Sequence, residues 1–203
     1  VVKPFQVCVY VEGGGDTKSC DLATECKIGF GALLEKATGG HRLKIVPCGG
    51  RSQAYRAFSI AVKQRKYDLA VLLVDSEDPV GARTPWAHLK ARDDWEPLDA
   101  PAHLMVTCME AWLVADHDAL RTHFKNAFDA EKFPKWQKLW EVDRHTLLDK
   151  LKDATRQRKG GPYGKGPDSF KILKHVDPRK LEACPHAKAL FDDLKKRLAE
   201  GHA

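Results

Sequence analysis

The chain has 203 residues, 43% of them hydrophobic and 31% charged, and its 34 Lys and Arg against 28 Asp and Glu leave a formal charge of +6. That profile excludes a disordered or fibrous protein, and no stretch approaches the roughly 18 consecutive apolar residues of a membrane span. Val1-Val2-Lys3-Pro4-Phe5 has neither a secretory nor a transit pattern, so the expected location is the cytoplasm.

Residues 5–11 (Phe-Gln-Val-Cys-Val-Tyr-Val) are β-rich and almost continuously apolar, as a strand buried on both faces should be. They stop at Glu12-Gly13-Gly14-Gly15-Asp16. Helical spacing of Leu22, Cys26, Phe30, Leu33 and Leu34 predicts a helix over 17–37, ended by Gly39-Gly40, and a second strand follows at 42–47. Ser52 reads as the N-cap of a helix that runs to about Lys66. The third strand is a solid run, Leu69-Ala70-Val71-Leu72-Leu73-Val74, that stops at Asp75-Ser76-Glu77-Asp78-Pro79. A loop carrying Trp86 and Trp95 leads to a fourth strand over 102–107, and a helix begins near Met109-Glu110-Ala111-Trp112. Trp136 and Trp140 read as the inward face of a further helix, and a final amphipathic helix is expected over 186–198.

Strands alternating with helices predict an α/β domain with a mainly parallel sheet over 1–120, packed against a helical, basic extension over 121–203. The charge is uneven. Residues 150–180 carry ten Lys and Arg against three Asp and Glu, a local +7, so the rest of the chain sums to −1. Lys152, Arg156, Arg158, Lys159, Lys165 and Lys174 are therefore the candidates for holding a phosphate backbone. A solvated helical surface would show the same run.

The acids carry the chemistry. In a parallel sheet the ends of strands one, three and four share an edge, which gathers Glu12, Asp16, Asp75, Glu77 and Glu110. Converging carboxylates repel and resist ionisation unless a cation neutralises them. Hard oxygen ligands suit Mg²⁺ or Mn²⁺, completed by water and substrate phosphate oxygens. Asp16 reads equally as a helix cap, and Asp78, beside Pro79, as a turn residue. Asp116, beside His117 and Asp118, is an outer candidate. Gly13-Gly14-Gly15-Asp16-Thr17-Lys18-Ser19 is not a P-loop, because Thr17 and Glu12 stand where glycines are required. Six dispersed cysteines with no Cys-x-x-Cys spacing argue against a zinc ribbon.

Glu-Gly-Gly-Gly-Asp after strand one and Asp-Ser-Glu-Asp after strand three resemble the Toprim fold, found in topoisomerases, primases and nucleases of the OLD (overcoming lysogenization defect) class. With Met109-Glu110-Ala111-Trp112-Leu113-Val114-Ala115-Asp116 and Ala183-Cys184-Pro185, nearly the whole chain resembles a bacterial Toprim-like family often encoded beside an AAA-type ATPase in defence-related neighbourhoods. The resemblance implies a Toprim-like sheet and a Mg²⁺- or Mn²⁺-dependent nuclease acting on DNA or RNA in an antiviral system with an ATPase partner. Glu12 would be a ligand or the general acid/base, Asp75 and Glu77 metal ligands, and Asp16, Glu110 and Asp116 further ligands. Lys165 or Lys171 would stabilise transition-state charge. The departure is Glu77, where the Toprim pattern has Asp. The rival expectations are a non-catalytic nucleic-acid or partner-binding module on the same scaffold, and a small-molecule phosphatase.

Overall fold

The computed structural model describes residues 5–15 and 20–201. Four strands, β1 (Val7–Val11), β2 (Lys44–Pro47), β3 (Leu69–Asp75) and β4 (Ala102–Met105), form one sheet in the order β2-β1-β3-β4, with every neighbouring pair parallel. The expected α/β class with a parallel sheet flanked by helices holds. Alternation along the strands explains why both faces are apolar. Val7, Val9, Val11, Val71 and Leu73 enter one core, and Cys8, Tyr10, Leu72 and Val74 enter the other.

The first core is shared with α1 (Cys20–Ala37), α4 (Met109–Ala115), α5 (His117–Phe124), α6 (Arg144–Ala154), α7 (Ser169–Leu173) and α8 (Pro185–Gly201). The second is covered by α2 (Arg51–Lys63) and α3 (Pro85–Asp93). One core thus runs through residues on both sides of position 120. Trp112, 1% exposed, anchors it against Phe191 with ring centroids 6.3 Å apart.

Three local expectations are corrected. Residues 85–93, read as loop, form α3, because Thr84 caps the Ala87 N–H and Pro85 occupies the first turn, where a missing N–H costs nothing. The N-cap of α2 is Gly50 rather than Ser52, and no side chain caps it. Residues 133–138 form no helix but run irregularly between two short 3-10 turns, Ala130–Lys132 and Leu139–Glu141, although Trp136 and Trp140 do pack against the core. No described helix is long and apolar enough to cross a membrane.

Candidate functional site

β1 has β2 on one side and β3 on the other, so the direction of winding reverses between β1 and β3. A crevice opens beyond the carboxyl ends of the strands at such a reversal. Glu12 and Asp75 are the residues that stand there. The Glu12 N–H still pairs with Leu73 O at 3.0 Å, and Glu12 Oε2 accepts from the Asp75 N–H at 3.1 Å. The pairing of two central strands therefore fixes both acids.

A cleft of about 210 Å³ lies at this edge, lined by Glu12, Asp75 and Lys165 together with the Gly13-Gly14-Gly15 turn. The glycines are required by packing as well as by conformation. Gly14 has φ +71°, and a Cβ there would lie 2.7 Å from Cys26 Cβ and 2.9 Å from Pro47 Cβ. Asp16, at the end of this turn, lies outside the described residues.

Asp75 is 7% exposed, and its Oδ1 accepts from the Met109 N–H at 2.8 Å. Glu110 is wholly buried in the first turn of α4; the Tyr163 hydroxyl donates to its Oε1 at 3.0 Å, whereas Oε2 has no hydrogen-bond partner. Above both acids sits the Lys165 ammonium, 3.6 Å from Glu110 Oε2 and 3.9 Å from Asp75 Oδ2. Arg51 flanks the group on the other side, 3.7 Å from Glu12 Oε2, while donating to the Asp75 carbonyl and to Asp93.

Burial, then the neighbouring Glu12 and Glu110, push the Asp75 carboxyl well above the usual range. Burial likewise raises Glu12, against the pull of Arg51. For Lys165 burial acts downward, but Glu110 and Asp75 outweigh it and hold the ammonium above its ordinary value.

The other sequence candidates fall elsewhere. Glu77 adopts φ +60°, which turns it out of the strand direction, and its carboxylate pairs with Arg92 and with Arg144, the latter at 2.7 Å. Asp116 caps α5: its Oδ1 accepts from the Asp118 and Ala119 N–H groups and its Oδ2 from the Asp177 N–H at 2.9 Å. Lys171 is exposed on α7, and the ammonium that meets the acids is that of Lys165. Of the basic candidates, Lys152 and Lys159 are exposed, Arg156 pairs with Asp153, Arg158 pairs with Asp168, and Lys174 is half-buried.

Residues 31–195 match the family model described as a domain of unknown function (DUF4276). The chain belongs to the DUF4276 family. Searches of curated proteins and of solved structures found no match. The part matched to DUF4276 holds Asp75, Glu110 and Lys165, and begins after Glu12.

Four residues of the site carried no sequence signal strong enough to single them out: Arg51, Tyr163, Asp168 and Ser169. Tyr163 and Asp168 do stand within or beside the Gly and Pro-rich break at 160–167, where a large aromatic and an acid are out of keeping with a solvated linker. Among the described residues no group of three or more His, Cys, Asp or Glu side chains forms a ready-made metal cage. The donor set instead fits an open oxygen site, in which one or two carboxylates hold a Mg²⁺-like ion and water or phosphate completes it. The observation in favour is Glu110 Oε2, which is buried, accepts no hydrogen bond and meets the Lys165 ammonium at 3.6 Å.

Proposed function

We propose that the protein is a divalent-metal-dependent nuclease that hydrolyses phosphodiesters of DNA or RNA, working in an antiviral system with an AAA-type ATPase. The observation that carries this reading is the wholly buried Glu110, whose Oε2 accepts no hydrogen bond and faces the Lys165 ammonium at 3.6 Å, set beside the buried Asp75 and next to Glu12. A buried carboxylate oxygen without a hydrogen bond is expensive, Lys165 at 3.6 Å and beyond hydrogen-bond distance offsets only part of that cost, and a directly bound cation would offset more. The Toprim resemblance, with Glu12 and Asp75 at the winding reversal, supports the same assignment.

Asp75 and Glu110 would hold the ion, with Glu12 beside them. Mg²⁺ or Mn²⁺ supplies Lewis-acid polarisation of the phosphoryl oxygen and a more acidic bound water. Glu12, its pKa raised by burial, is suited to take the proton of the attacking water. Lys165, 58% exposed at its side chain, offsets negative charge that develops on the phosphoryl oxygens. The glycine turn keeps side chains out of the path of the phosphate.

Labelled DNA and RNA oligonucleotides, incubated with the protein and Mg²⁺ or Mn²⁺, test the reading alongside calorimetric titration with Mn²⁺. Glu12→Gln and Asp75→Asn should each lower cleavage by at least about 100-fold without unfolding the protein. Cleavage that survives both substitutions would sink the assignment. A second reading, a non-catalytic binding module, draws its support from Lys165, which already supplies a positive charge to the acids. It predicts salt-sensitive nucleic-acid binding with no uptake of Mn²⁺.

A further inference from the structure

Lys165 stands in a segment, residues 163–169, that closes on itself through its own polar groups. Asp168 is 4% exposed. Its Oδ2 accepts from the Gly164 N–H at 2.9 Å and from Arg158 at 2.7 Å, and its Oδ1 lies 2.9 Å from His123 Nε2. The Asp168 N–H returns to the Gly164 carbonyl at 3.1 Å. Ser169 Oγ accepts from the Gly166 N–H at 3.0 Å and lies 2.6 Å from the Tyr163 hydroxyl, the same hydroxyl that reaches Glu110. Both neighbours of Lys165 are thus tied by their N–H groups, one to Asp168 and the other to Ser169. The backbone of Lys165 has little freedom, and its ammonium lands on the two acids.

We propose that Asp168, clamped by Arg158 and His123, is a positioning residue: it closes the 163–169 hook and sets the Lys165 ammonium over Asp75 and Glu110, where that ammonium competes with a divalent cation. The competition follows from the distances. An ion bound to Asp75 Oδ2 and Glu110 Oε2 would share oxygens that already lie 3.9 and 3.6 Å from Nζ, and two cations at such separation repel strongly in a poorly hydrated site. Lys165 must then swing outward, toward the solvent and any phosphate there, and its exposure permits this. Arg158, one of the basic candidates of the sequence, closes the hook through its ion pair with Asp168.

The hook can be tested without metal, and the competition rests on the metal reading of the site. In the 203-residue chain in EDTA, ¹⁵N spectroscopy of lysine ammonium groups should show a distinct, slowly exchanging Lys165 signal, assigned by its loss in Lys165→Met. Asp168→Asn should abolish that signal. The signal of Lys36, whose ammonium donates to the Lys174 and Val176 carbonyls at 3.0 and 2.6 Å, should persist and reports that the fold is intact. Should Asp168→Asn fail to fold, Arg158→Gln carries the test, with a weaker effect in the same direction. Calorimetry with Mn²⁺ should then give about tenfold tighter binding in Lys165→Met, a smaller gain in Asp168→Asn, and no further gain in the double variant. A Lys165 signal unchanged in folded Asp168→Asn and Arg158→Gln overturns the positioning role. Effects on Mn²⁺ affinity that add independently overturn it as well. If neither wild type nor Lys165→Met takes up Mn²⁺, the metal reading and the competition fail together, while the ammonium signal still decides the hook.

Discussion

Asp75 is a carboxyl that has lost most of its water, with Glu12 and Glu110 as neighbours and Lys165 and the Met109 N–H acting against them. Its pKa in the fold lies well above that of the unfolded chain. A raised acid binds more protons when folded than when unfolded between its two pKa values, so its contribution to stability is fullest below the unfolded value and is lost as pH rises through the folded one. Metal-free protein should therefore lose stability as pH rises above the ordinary carboxylate range. Asp75→Asn keeps the acceptor for the Met109 N–H and removes the charge. In EDTA at pH 7.5 this variant should melt at a higher temperature than wild type, and the advantage should shrink toward zero near pH 4. Saturating Mn²⁺ should reverse the order, because an ion that binds only the native wild type stabilises it by mass action. Equal melting of the two proteins in EDTA at both pH values would contradict this account of the site.

Between α1 and α7 the contact is made through a glycine, and that contact roots the hook carrying Lys165. A Cβ on Gly29 would lie 2.6 Å from the Phe170 carbonyl oxygen and 3.2 Å from Phe170 Cα, so the backbone of α7 approaches only because Gly29 has no side chain. Gly31, two residues on in the same helix, faces open space. Gly31→Ala should raise stability by up to about 1 kcal/mol through helix propensity alone. Gly29→Ala gains the same propensity but must push α7 aside, for a net loss of about 1–3 kcal/mol. Urea unfolding of the two variants checks the pair, and a Gly29→Ala protein as stable as Gly31→Ala would refute the close approach. Such contacts mark the limit of what the residue string conveys. β1, β3 and their terminal acids are legible because an apolar run buried on both faces stops abruptly at a carboxylate. Helix α3 is obscured by prolines and tryptophans that also suit a loop. The parting of Glu77 from Asp75 depends on the left-handed backbone of Glu77 itself and on Arg92 and Arg144, which approach from α3 and α6. The choice of Lys165 over Lys171 depends on how residues 163–169 close, a matter of hydrogen bonds rather than of spacing.

At the scale of the whole molecule, fewer basic groups of residues 150–180 are uncommitted than the ten Lys and Arg along the chain. All three acids of that stretch hold an arginine: Asp153 pairs with Arg156, Asp168 with Arg158 and Asp177 with Arg179. Lys165 lies on the acids of the site, and Lys174 is half-buried. Among the six basic candidates, Lys152 and Lys159 keep both an exposed position and no carboxylate partner within ion-pair distance among the described residues. They stand at and just beyond the C-terminal turn of α6, in the same extension that supplies the hook. If this surface holds nucleic acid, the lysines act through phosphate charge, so their removal should weaken binding to all sequences alike. Each neutralised contact should flatten the dependence of log Kd on log salt by about 0.7 for a single strand or about 0.9 for duplex DNA. Fluorescence anisotropy of a labelled oligonucleotide, measured in EDTA over a series of salt concentrations, gives that slope directly. Lys152→Gln and Lys159→Gln should each lower it by one such step and together by two. Arg158→Gln should leave it nearly unchanged, because that guanidinium is engaged by Asp168. A slope that falls for Arg158→Gln but not for the two lysines would place the nucleic-acid surface on another face of the molecule.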